Sequence, residues 1–285
     1  MTNCAVLAAA EPLAGTAPVA ATWLCLEQPG PWGNDALVDS HLDRRVGAEL
    51  ARRMKETGIR IVLIRRPGRH PDLHHPRPRR VYLASTRPGT SWLRRHTIED
   101  PEELLDLDFT TPFGTLTTDP LLLVCTNGKR DRCCALLGRP IAAELAAEHG
   151  EAIWESTHTG GHRFAPAVVA LPTGYVHGRL DGPQTRELLK ATAAGEMMLQ
   201  GCRGRATWSR EGQAAELAVR GIIREVGADS LSVVSATSDL VSVRHVDGRE
   251  WVVRLAATPL PAWPNSCGKA AVEGLSFSVS DVRLV

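Results

Sequence analysis

The stretch CTNGKRDRCCALLGRPIAAELAAEHGEAIWESTHTGGHRFAP, Cys125–Pro166, gathers two kinds of metal-binding side chain into one run. Cys125 follows the apolar residues Leu121–Val124, and Cys134 comes nine residues later at the lip of an expected helix. His158 and His162 follow, four apart, with Thr159-Gly160-Gly161 between them. Two thiols and two imidazoles are the right donors for a metal centre. A gap of eight residues between the cysteines is a poor match to a zinc knuckle, whose cysteines stand two to four apart. Paired glycines each oppose a helix interior by about 1 kcal/mol, so the histidines are expected on a loop. This is not the helical His-Glu-x-x-His of a metalloprotease.

Working outward, apolar runs bounded by turn residues predict strands at Ala20–Glu27, Ile59–Arg65, Val81–Ser85 and Ser91–Arg95. Leu42, Val46, Leu50 and Met54 recur every four residues, which predicts a helix capped by Asp39 or Ser40 and closed by Gly58. The first part therefore reads β-α-β-β-β. Further strands are expected at Thr118–Val124, Ala152–Glu155, Ala167–Leu171 and Tyr175–Leu180, with helices near Pro140–Glu148 and Gln184–Ala194. Beyond Leu199 the pattern changes to one helix, Gln213–Val226, and short strands. Two of these strands are joined across Asp247-Gly248, a strong hairpin signal. The division expected is 1–115 as an N-terminal α/β region, 116–199 as the ligand-bearing domain and 200–285 as a small α+β appendage.

At CTNGKRDRCCA, WESTHTGGHRFAP and LPTGYVHGRL the chain resembles the sucrase/ferredoxin-like family of thioredoxin-like ferredoxins. WLCLEQPGPWGNDAL near the N-terminus and PNSCGK near the C-terminus extend the likeness. The resemblance implies an α/β fold with a thioredoxin-like ferredoxin domain, and an N-terminal half compatible with the same fold. It also implies a 2Fe–2S cluster held by Cys125, Cys134, His158 and His162. Cys133 directly precedes Cys134, so the choice between them stays open, and zinc accepts the same Cys₂His₂ set. Neutral imidazoles in place of two thiolates make a cluster easier to reduce. Rieske-type centres lie at about −150 to +300 mV against about −400 mV for plant-type ferredoxins. The implied function is one-electron transfer, with a proton taken up at a histidine, between a reductase donor and an acceptor protein. A redox carrier is expected before a turnover enzyme acting on a small substrate.

Composition narrows the remaining classes. A net charge of +1 gives no general attraction to nucleic acid or membrane. No apolar run approaches the roughly 20 residues of a membrane span, and the N-terminus lacks the basic region of a signal peptide. Seven scattered cysteines fit a reducing cytoplasm better than a disulfide framework. Cys4, Cys25, Cys202 and Cys267 have no partner at a recognisable spacing, and Cys133 is read as packed beside the centre. The basic, proline-rich segment Arg65–Arg80 is a loop that could steer an acidic partner. Nucleotide-binding glycine motifs and a nucleophile elbow are absent from the sequence. Asp131 and Glu155 lie near the ligand residues, and as a hydrolytic carboxylate pair they would have to face one bond.

Overall fold

A computed structural model describes residues 3–68 and 78–285. Most of the expected basic loop, including His74 and His75, lies outside the described residues. In chain order the elements are α1 (Cys4–Leu7), β1 (Thr22–Glu27), α2 (Ala36–Asp39), α3 (Arg44–Thr57), β2 (Arg60–Arg65), β3 (Arg79–Ser85) and β4 (Trp92–Ile98). Next come β5 (Thr115–Thr117), β6 (Leu121–Cys125), α4 (Arg132–His149), β7 (Ile153–Ser156), β8 (Ala167–Leu171), β9 (Tyr175–Gly178) and α5 (Gly182–Ala193). The chain finishes with β10 (Cys202–Arg205), α6 (Arg210–Ile223), β11 (Leu231–Ala236), β12 (Leu240–His245), β13 (Glu250–Pro264) and β14 (Ala271–Leu284).

Ten strands form one mixed sheet in the order β10-β9-β8-β6-β7-β2-β1-β3-β4-β5. The order contains the same arrangement twice. In each half a strand runs parallel to the next across a helix (β1 with β2, β6 with β7), then pairs antiparallel with a third, which pairs antiparallel with a fourth. The halves join where β2 pairs antiparallel with β7, Ile64 opposite Ser156 and Arg65 opposite Glu155. The sheet thus continues through position 115/116, and β10 carries it past 199/200. The α/β class with a separate small appendage is as expected: β11 to β14 form an antiparallel sheet of their own.

The strands read as near-continuous apolar runs because both faces of the sheet are covered. On one face Leu24, Leu26, Ile61 and Leu63 pack under Val46 and Leu50 of α3. Leu122, Val124, Ile153 and Val168 pack under Ile141 and Leu145 of α4 and Leu188 of α5. On the other face one cluster, including Trp23, Cys25, Val62, Leu123, Trp154 and Val169, runs through both halves.

Several boundaries differ from the expected ones. Asp43, not Asp39 or Ser40, caps α3 by accepting from the amides of Arg45 and Val46, and Gly58 closes it at φ +71°. Helix α4 begins at Arg132, well before Pro140, which sits in its interior. Asp131 makes that early start by accepting from the Cys133 amide as N-cap. Strands β13 and β14 are far longer than the short segments expected at Trp251–Ala256 and Leu275–Val279. The prolines at 259 and 261 argue for a stop, but register shifts along the pair let the hairpin continue past them.

Candidate metal centre

Cys125 is the last residue of β6, and Cys134 lies in the first turn of α4. The close packing of strand end and helix depends on Gly138. A Cβ there would stand 2.4 Å from the Cys125 carbonyl oxygen. His158 follows β7 on a loop, and His162 opens a short 3₁₀ turn ending at Phe164. Gly160 and Gly161 between them have φ of +108° and +77°, a region L-residues with side chains rarely enter. At Gly161 a Cβ would also meet Arg203 and Phe164 within 3 Å. Arg203 is buried, holds the Gly160 carbonyl at 2.9 Å through Nη1, and bonds Thr16. From the other half, Arg60 on β2 donates to the His158 carbonyl at 2.9 Å, and the Leu63 amide donates to Thr157 Oγ1 at 3.0 Å.

These constraints bring all four residues expected as ligands to one end of the second half of the sheet. The Cys134 sulfur lies 3.5 Å from His162 Nδ1, and the rings of His158 and His162 stack with centroids 3.8 Å apart. Cys125 and Cys134 are hydrogen-bonded to each other, and Cys125 also contacts His158 and the Thr159 amide. The Cys134 hydrogen bond is the main cause holding the Cys125 thiol well below its ordinary range; Cys134 is pushed up correspondingly. Burial, with the neighbouring His158, lowers His162 to about 4, so its ring is neutral near pH 7. Cys125, Cys134 and His162 are buried; His158 is half-buried and reaches a cleft of about 530 Å³ with Arg130, Arg163 and Lys269 on its walls.

A second group is built around Cys133. Cys4, Asp131, Cys133 and Cys267 place one donor atom each within 4.8 Å of one another, a set able to hold a metal ion. The Cys₂His₂ residues do not make such a single-ion group among the described residues. Cys4 and Cys267, which have no partner at a recognisable spacing in the sequence, meet in space: their sulfurs lie 3.6 Å apart, and each lies within 3.6 Å of Cys133. Sequence spacing could not reveal this, because 129 residues separate Cys4 from Cys133 and 134 separate Cys133 from Cys267. Cys25 and Cys202 pack in the core instead.

The carboxylates near the site are already engaged. Glu155 forms a buried ion pair with Arg65 at 2.6 Å and accepts from Thr126 at 3.0 Å. Asp131 accepts from the amides of Cys133 and Cys267 and from Ser266 Oγ at 2.7–2.8 Å. They do not stand as a free pair across a sugar bond. Among the described residues no helix is long and apolar enough to cross a membrane.

No curated protein and no solved structure matches the chain. A family model does. It matches residues 13–204, roughly two thirds of the length, and spans Cys125, Cys134, His158 and His162 while leaving out Cys4 and Cys267. On that match, the chain belongs to the sucrase/ferredoxin-like family.

Proposed function

We propose that this chain is an electron-transfer protein that holds one 2Fe–2S cluster through Cys125, Cys134, His158 and His162. The observation that carries the reading is the convergence of two thiols and two stacked imidazoles at one sheet end. Their donor chemistry fits the group: soft sulfur with neutral ring nitrogen, as in centres of the Rieske type. When bound, the cluster supplies reversible one-electron chemistry. Cys125 and Cys134 would hold it from the buried side, and the histidines from the side of the cleft. The zinc alternative on the same four residues has less support, because they do not gather round one ion as placed.

The protein's own residues define the way in and out. Arg130 and Lys269 present positive charge at the cleft, and Arg163 is tied to Glu11 at 2.7 Å beside it. A cationic mouth over the histidines favours docking of acidic redox proteins, a reductase as donor and a separate acceptor, at rates that fall as salt rises. The engaged state of Asp131 and Glu155 gives a hydrolase no support.

The test is a visible spectrum of anaerobically purified protein with iron and sulfide assayed on the same sample. A red-brown protein with about two irons and two sulfides per chain is expected. His158→Cys or His162→Cys should keep the colour and lower the reduction potential. A colourless protein that also fails reconstitution with iron and sulfide would end the reading.

A further inference from the structure

Three cysteines from the beginning, middle and end of the chain meet away from the Cys₂His₂ residues. Cys4 comes from α1, Cys133 from the first turn of α4, and Cys267 from the tip of the β13–β14 hairpin. Their sulfurs are separated by 3.3 Å (Cys133 to Cys267) and by 3.6 Å (Cys4 to each of the others). These separations are far beyond the roughly 2.05 Å of a disulfide. They approach the edge of a tetrahedron: with Zn–S near 2.3 Å, two thiolates on one zinc stand about 3.8 Å apart. With Zn–O near 2.0 Å the mixed edge is about 3.5 Å. Cys4 Sγ lies 3.6 and 3.7 Å from the two oxygens of Asp131.

Burial pushes the Cys4 and Cys133 thiols up, so a cation that binds here displaces their protons. The Cys4 amide donates to Cys267 Sγ at 3.4 Å, and the Ala5 amide is hydrogen-bonded to Cys133. Asp131 is only 3% exposed, and its carboxylate is aimed by two amides and a hydroxyl. The Cys4 thiol also donates to this carboxylate, and a cation would take the place of the thiol protons with the four donors already gathered. Apolar packing accounts for the contact of Cys4, Cys133 and Ala165, and the N-cap of α4 brings the Asp131 carboxylate against them.

We propose that Cys4, Cys133, Cys267 and Asp131 form a mononuclear site for a zinc-class divalent cation, which clips the N-terminal helix and the C-terminal hairpin onto α4. All four donors converge within 4.8 Å, as one ion requires and as a two-iron cluster does not. Soft thiolates with one carboxylate select zinc over magnesium or calcium. The ion acts on more than stability. Asn265, Ser266 and Lys269 of the same hairpin tip wall the cleft over His158 and His162, so fixing Cys267 fixes that wall. The site stands on its own geometry and does not depend on the cluster reading.

The experiment is zinc binding by the full-length protein after chelator treatment under reducing conditions. Competition with a chromophoric chelator would be followed by alkylation and mass mapping of each cysteine. One tightly bound zinc is expected, protecting Cys4, Cys133 and Cys267 together. Cobalt in its place should give the absorption of tetrahedral thiolate coordination. Cys267→Ser, at the partly exposed hairpin tip, should weaken zinc by more than the 10–100-fold that losing an outer-shell partner costs. It should also leave the far-ultraviolet spectrum unchanged. Protection confined to Cys125 and Cys134, unchanged affinity in Cys267→Ser, or a Cys–Cys disulfide among the three in the untreated protein would overturn the proposal.

Discussion

Cys133 and Cys134 are neighbours in the chain but serve different surroundings. Successive helical residues point about 100° apart, since a turn takes 3.6 residues. Cys134 therefore turns to Cys125 and His162 while Cys133 turns to Cys4 and Cys267. We expect Cys134→Ser to abolish the cluster's visible absorption and Cys133→Ser to retain it. The reverse pattern in spectra and iron content would refute that assignment. At the same scale, His177 on β9 is fully buried. Its Nε2 donates to the Met198 carbonyl at 2.8 Å, its Nδ1 has no partner among the described residues, and burial lowers it from 6.5 to about 4. A histidine depressed in the folded state leaves the unfolded chain binding the proton first. Stability should accordingly be full above pH 6.5, fall as pH drops towards 4 and level off below, losing about 3 kcal/mol from this group. His177→Gln should remove that part of the acid slope in denaturant titrations; an unaltered slope would count against it.

At the scale of elements, α4 and β6 form the unit that sets the cysteine pair. Alanine in a helix interior is ordinarily favoured over glycine by about 1 kcal/mol. At Gly138 the sign should invert, because the added methyl would press on the Cys125 carbonyl at 2.4 Å. Gly138→Ala should destabilise the protein by roughly 1–3 kcal/mol, as overpacking does, read as an earlier denaturant midpoint. A later midpoint would mean that the helix moves freely against the strand. The start of α4 also shows why Pro140 misleads as a helix-start signal. Proline is preferred in a first turn, but Asp131 had already capped the helix, and Pro140 is carried inside it.

The whole molecule is two copies of one β-α-β-β-β arrangement joined edge to edge, and only the second bears the Cys₂His₂ residues. The seam matters to the site because β2 of the first copy supports the histidine loop through Arg60 and Leu63. At that seam Arg65 and Glu155 form an ion pair with side chains 8% and 7% exposed; Arg65 also bonds the Gly30 carbonyl and lies over the Trp32 ring. Glu155→Ala would leave a buried guanidinium unpaired and should cost about 3–5 kcal/mol, whereas replacing both partners by apolar residues of similar size should be near neutral. Equal losses in the single and double variants, measured by equilibrium unfolding, would show that shape rather than charge governs the seam.

By itself the sequence determined what depends on near neighbours. Apolar runs and their turns located most strands, the 160–161 glycine pair placed the histidines on a loop, and the helix expected near Gln184–Ala194 is α5, opened by a capping box between Asp181 and Gln184. The four Cys₂His₂ residues lie within one 38-residue stretch and so were legible as a group. Only the tertiary structure decided which side Cys133 faces, that β2 and β7 join the halves, and that Cys4 and Cys267 meet it across the whole chain. Those contacts arise from packing between elements more than a hundred residues apart, and no local pattern or periodicity encodes such a meeting.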